Sequence, residues 1–123
     1  MIKGIEGLSP RLQKAMLGCI CNYFDLSEDI EIEELEENVY QILDTKFYVI
    51  SDDDIQRKIT SYNSNLFENF FDGLTSEQKK FINIDLWEEE YGVSTFEEWL
   101  SKDTKWLVDD ADYYGGYNFY EVH

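Results

Sequence analysis

The chain has 123 residues, room for one domain with a modest core, and it is 43% apolar and 16% aromatic, which excludes a disordered acidic tail. Its 27 Asp and Glu against 10 Lys and Arg give a formal charge of −17, which excludes nucleic acid and anionic membrane as direct partners and steers cationic partners toward it. No apolar run approaches the roughly 18–20 residues of a membrane span, and "MIKGIEGLSPRLQK" lacks the apolar segment of a secretory signal, so the expected compartment is the cytoplasm.

The first element is "LSPRLQKAMLGCICNYF". Ser9 suits an N-cap and Pro10 the first helical position, and Leu12, Met16, Cys19, Ile20 and Tyr23 recur at spacings of three and four, so an amphipathic helix is expected. Cys19 and Cys21 stand one residue apart, where a disulfide is badly strained, and they are read as two buried thiols. Residues 25–44, "DLSEDIEIEELEENVYQILD", then carry nine carboxylates and no Lys or Arg. Placing Ile32, Leu35, Val39, Ile42 and Leu43 on one stripe predicts a second helix, with Glu31, Glu33, Glu34, Glu36, Glu37 and Asp44 forming a carboxylate wall.

"KFYVIS" at 46–51 is β-branched and aromatic and reads as a strand. Ser51 then fits the N-cap of a helix carrying Ile55, Ile59 and Tyr62, interrupted at "SYNSN" and resumed through Leu66, Phe67, Phe70 and Phe71 to Gly73. "TSEQ" at 75–78 and "TFEE" at 95–98 have capping-box spacing and start two more helices, and Gly92 closes the helix of "NIDLWEEEYG". The glycine pair of "YYGGYNFYEVH" turns the chain into a last strand, paired with 46–51 or with "KWLV" at 105–108. The expected fold is one α+β domain over residues 1–123, predominantly helical, with about five helices and a small two- or three-stranded antiparallel sheet.

Charge is concentrated in two blocks. Residues 25–45 hold nine acids and no base, and residues 83–123 hold eleven acids against Lys102 and Lys105, while the N-terminal helix is weakly basic. Carboxylates brought onto one face at such density imitate the phosphates of duplex DNA, which carries one charge about every 1.7 Å along its axis. A protein that grips phosphates with Lys and Arg then meets an imitation of its substrate. The alternative is a solvated surface, since Glu forms helices well and carboxylates favour solubility. Trp87, Tyr91, Trp99, Trp106, Tyr113, Tyr114 and Tyr117 lie within the second block and supply both core and interface anchors.

Catalytic signatures are absent. The one histidine, His123, is the last residue and cannot easily serve as an oriented internal base, and no glycine-rich loop precedes a helix with a lysine. "SDDD" at 51–54 and "DDAD" at 109–112 are clusters of a kind this composition produces by chance. Calcium is a sharper alternative. Asp25, Ser27, Asp29, Glu31, Glu33 and Glu36 occupy positions 1, 3, 5, 7, 9 and 12 of an EF-hand loop with apolar Ile32 at position 8, although Ile30 stands where that loop turns on glycine. No cofactor is expected.

"IDLWEE" at 84–89 resembles a stretch of the coliphage DNA-mimic family that overcomes restriction, whose members are small, acidic and all-helical. "FYVISDDDIQRKI" with the terminal "YNFYEVH" is similar to small phage proteins having a strand, a cap and a helix, which implies a mobile-element origin. The expected function is that of a non-enzymatic inhibitor, anti-CRISPR or anti-restriction. It presents Glu33, Glu34, Glu36, Glu37, Glu88, Glu89, Glu90, Glu97 and Glu98 to a basic nucleic-acid-binding protein such as a Cas effector or restriction enzyme. The alternatives are an immunity protein for a basic nuclease toxin and a calcium-binding or structural adaptor. A homodimer would lengthen the mimic.

Overall fold

Ile30, Glu31, Ile32 and Glu33 alternate with period two, and in the computed structural model, which describes residues 2–123, that alternation wins over the helical stripe. Residues 25–44 are not a helix. They form β2 (Ile30–Glu36) and β3 (Val39–Ile42), two arms of a hairpin. Ile30 and Ile32 are buried and Glu31 and Glu33 exposed, so one face of the strand packs and the other is solvated. Glu is depleted in strands, and here cross-strand pairing of Ile32 with Ile42 overrides that bias.

Around this hairpin the chain builds a six-stranded curled sheet, a half-barrel, in the order β1-β2-β3-β4-β6-β5. The other strands are β1 (Ile2–Lys3), β4 (Thr45–Ser51), β5 (Asp112–Tyr114) and β6 (Tyr117–Glu121). The strand expected at 46–51 is therefore central, pairing antiparallel with β3 on one side and with β6 on the other. The expected small sheet in a mostly helical fold is thus corrected. Among the described residues the fold is mixed α/β, with four helices and 25% of residues in strands, because the most acidic segment contributes two strands instead of one helix.

The tail turns as its glycines require: Gly115 (φ 57) and Gly116 (φ 93) form a two-residue connection between Tyr114 and Tyr117. A side chain at Gly116 would also run into the guanidinium of Arg11, whose Nε donates to the Gly115 carbonyl at 3.4 Å.

The described chain divides into two compact units, residues 2–52 with 106–123, and residues 53–105. In the first, α1 (Pro10–Tyr23) lies on one face of the sheet, capped by the Ser9 hydroxyl, which accepts from the Leu12 amide at 3.2 Å. Its Ala15, Met16, Cys19 and Ile20 close over Ile30, Ile32, Ile42, Phe47, Val49 and Phe119. Each large side chain buried there contributes about 1.5–3 kcal/mol. The two thiols differ: Cys19 is buried in this core, whereas Cys21, on the outer side of α1, is exposed and corrects the expectation of two buried thiols.

The second unit holds most of α2 (Asp52–Asp72), α3 (Ile84–Tyr91) and α4 (Phe96–Asp103). The interruption expected at "SYNSN" does not occur, and α2 runs unbroken for 21 residues. Asn63 does not compete for its own helix backbone, because its side chain donates from Nδ2 to the Val93 carbonyl at 3.0 Å and accepts from the Val93 amide at 2.9 Å. The box at 75–78 closes, with the Thr75 amide donating to Gln78 Oε1 at 2.9 Å, but only a single 3-10 turn, Gln78–Lys80, follows. No apolar stripe holds that segment to the core, and one turn alone does not propagate. Asn83 then caps α3 afresh, its Oδ1 accepting from the Leu86 amide at 2.9 Å.

Candidate functional site

Each unit carries one group of the carboxylates singled out by the sequence. In the first, Asp29, Glu31 and Glu33 line an open concavity of about 310 Å³ together with Gln41 and Leu43. Glu33 stands in register with Gln41, and Gln41 with Lys46, whose ammonium lies over the Trp106 ring at 5.5 Å. A bulge between Glu34 and Glu36 then shifts the register and leaves Leu35 exposed, and Glu36 and Glu37 follow at the hairpin turn. β1 covers β2 only at Ile30 and Glu31, so from Glu33 onward β2 is a sheet edge among the described residues.

The spacing of this row sets what it can imitate. Asp29, Glu31 and Glu33, the carboxylates of the concavity, recur every second residue, which at about 3.3 Å per strand residue is one charge per roughly 7 Å. One strand of duplex DNA carries a charge per about 3.4 Å, so these carboxylates are about half as dense as the phosphates of a single strand of the duplex. Acidic edges with bulges also keep sheets from pairing edge to edge, a purely structural use of Glu33, Glu34 and Glu36.

In the second unit the carboxylates fall into two kinds. Glu97 and Glu98 sit in the first turn of α4, at the positive end of its dipole. Glu98 also ties the cap down, its amide donating to Thr95 Oγ1 at 3.2 Å while its carboxylate accepts from the amide of Ser94, one residue before the cap, at 3.3 Å. These two stabilise their helix. Glu88, Glu89 and Glu90 instead occupy the C-terminal turn of the eight-residue α3, where the helix dipole disfavours negative charge and no basic residue compensates. Glu89 and Glu90 are exposed and Glu88 is half-buried.

The other acidic clusters are tied into the fold. Asp52 Oδ1 accepts from Asn118 Nδ2 at 2.6 Å, Asp54 pairs with Arg57, and Asp109 with His123, at 2.8 Å. The Asp109 hydrogen bond pushes the His123 imidazole above its ordinary value. Asp112 accepts from the Tyr23 hydroxyl, and chiefly through that bond raises it to about 12. α1 ends just before Asp25, but the EF-hand reading fails from the loop onward: position 12, Glu36, ends a strand, and a second strand follows where the loop needs a helix. Among the described residues no group of three or more His, Cys, Asp or Glu is arranged to hold a metal, and no helix is long and apolar enough to cross a membrane.

Sequence reasoning missed a groove. In the second unit Phe70, Phe81, Ile82, Leu86, Trp87 and Tyr91, with Glu90, enclose about 280 Å³. Of the aromatics expected as anchors, Trp87 and Trp99 are buried, Trp106, Tyr114 and Tyr117 half-buried, and only Tyr91 and Tyr113 exposed. Leu86, exposed, lies in α3 off the side that carries Trp87 into the core, a weak signal, and the exposed Phe81 stands before the helix, where no periodicity marks it. Compared with known proteins, the chain matches no family model, no curated protein and no solved structure.

Proposed function

We propose that the chain is a non-enzymatic inhibitor, of the kind phages and mobile elements carry, acting in the host cytoplasm. It presents carboxylates in place of phosphates to the basic nucleic-acid groove of a defence nuclease. One observation carries this reading: Glu88, Glu89 and Glu90 stand at a helix C-terminus, where local structure disfavours them, while Glu33, Glu34, Glu36 and Glu37 crowd an open strand edge and its turn. Residues kept against the preference of their own element point to a use outside it. Glu97 and Glu98, which cap α4, are the weaker members of the set.

The mechanism is competition. Lys and Arg that neutralise phosphates pair with these carboxylates, the encounter is accelerated by the −17 charge, and each exposed pair adds about 0.2–1 kcal/mol. Binding is then collective and weakens as salt rises. The test is co-purification of the tagged chain with a panel of restriction and CRISPR nucleases at low and high salt, with DNA or guide RNA as competitor. The expected result is salt-sensitive capture that nucleic acid displaces and that is lost when both carboxylate groups are changed to Gln. Capture that survives the double neutralisation overturns the reading.

A further inference from the structure

The groove of the second unit has an unusual floor and rim. Trp87 forms the floor, only 8% exposed, with its ring centroid 6.4 Å from that of Phe70 and 6.0 Å from that of Tyr91. Around it Phe81 is 80% exposed, Tyr91 63%, Leu86 55% and Phe70 43%. In α3, Leu86 and Glu90 are four residues apart, as are Trp87 and Tyr91, so two apolar positions and the carboxylate open onto the same side. Four large side chains left in water beside a buried tryptophan form the contiguous apolar patch that marks a protein contact.

We infer that this groove docks an apolar side chain, aromatic or long aliphatic, carried on a cationic segment of the protein partner, with Glu90 at its rim receiving a flanking Lys or Arg. Size argues for a side chain: about 280 Å³ lies at the lower limit of small-molecule sites and suits one or two inserted side chains. Charge identifies the bearer. A second copy of this chain would bring another −17 to the contact, and nucleic acid would bring phosphates, so like-charge repulsion opposes both. The groove's own connecting segment supplies Lys79, which lies over Phe71 at 5.1 Å, and Lys80; against them Glu90 lines the groove, and Asp85, Glu88 and Glu89 on the other faces of α3 add to the negative field around it. An apolar anchor excludes water from the rim and strengthens the ion pairs around it, which a purely electrostatic mimic lacks. The inference deepens the inhibitor reading and rests on it only for the positive charge of the partner.

The probe is an alanine-based helical peptide with one Phe flanked by lysines one turn away on each side, titrated into the full chain by calorimetry with amide shifts followed by NMR. The Phe peptide is expected to bind at least about tenfold more tightly than the same peptide with Ser in place of Phe, with shifts centred on residues 81–91. Phe81→Ser and Leu86→Ser, both at exposed positions, are expected to remove that preference and leave the weak salt-dependent binding of the Ser peptide. Equal affinity of the two peptides for the unaltered chain overturns the inference whatever the variants do. Nuclease capture lost on neutralising the carboxylates but unchanged in Phe81→Ser also overturns it, while the inhibitor reading stands. A dimer seen by sedimentation and dissolved by Phe81→Ser overturns it in favour of a second copy.

Discussion

Asn63 is the one buried polar side chain among the described residues that the second unit holds, and both of its amide atoms are spent on the Val93 backbone. Asn63→Leu would strand a buried N–H and a buried C=O together, each costing about 1–3 kcal/mol, so urea unfolding should show a loss of about 2–4 kcal/mol. Gly92→Ala should also destabilise, because a methyl there would stand 2.7 Å from the Glu88 carbonyl oxygen and 3.1 Å from Asn63 Nδ2. The thiols offer a second test. Burial, with Asp112 adding, pushes Cys19 up to about 12, whereas Cys21 is open to reagents. A thiol-specific dye should label one cysteine in the native chain and two after unfolding. The raised values also set an alkaline limit. Cys19 and Tyr23 stay neutral in the fold while their unfolded counterparts ionise from 9.0 and 10.0, so their contribution is whole below about pH 9 and is lost as pH rises toward about 12. Denaturation midpoints measured across that range should fall with increasing pH.

Two hairpin connections and one helix cap show how local chemistry shapes the elements. Leu43, between β3 and β4, has φ 53, a left-handed conformation that costs an L side chain about 1–2 kcal/mol. It is also 38% exposed, so little packing is lost by changing it, and Leu43→Gly should raise stability by about 0.5–1 kcal/mol in chemical denaturation. Thr95→Ala, which removes the oxygen accepting from the Glu98 amide, should lower it by about 1 kcal/mol. These same features explain what the sequence showed and what it hid. Ser9 with Pro10, Thr95 with Glu98, and the Gly115–Gly116 turn use chemistry confined to a few neighbouring residues, and all are where their spacing placed them. Residues 25–44 satisfied two periods at once: Ile32, Leu35, Val39 and Ile42 fit a helix, and Ile30 to Glu33 fit a strand. The decision came from partners distant in sequence, β4 beside β3 and β6 beside β4, and from Asn38, whose φ of 65 and bond from Nδ2 to the Val49 carbonyl at 3.0 Å make the turn that a helix would lack. The groove stayed hidden for a related reason. Phe70 and Phe81 meet Trp87 only after α2 and α3 pack, and no local pattern marks that meeting.

A net charge of −17 on 123 residues is a standing repulsion that folding must overcome, and its sign gives a test of the inhibitor reading that needs no partner. At low ionic strength the carboxylates interact over about 30 Å, and at physiological salt over about 8 Å, so melting temperature should climb by several degrees between the two. Which carboxylates cause the repulsion and which support the fold can then be separated by neutralisation. Glu98→Gln keeps an oxygen that can accept from the Ser94 amide but removes a favourable charge at the helix N-terminus, so it should lower the melting temperature slightly. Glu88→Gln, Glu89→Gln and Glu90→Gln combined remove charge from the unfavourable end of α3, and should raise the melting temperature while flattening its dependence on salt. The same applies to Glu33, Glu34, Glu36 and Glu37 together, with one difference: a neutral β2 edge is open to pairing with another chain, so that variant should melt higher yet aggregate sooner on heating. Thermal melts at two salt concentrations, with light scattering recorded alongside, distinguish these outcomes. If the α3 triple variant melts lower than the unaltered chain, its carboxylates are structural and the observation carrying the inhibitor reading is removed. If it melts higher, the chain keeps three charges that its own stability would discard, the trade expected of a surface held for a partner.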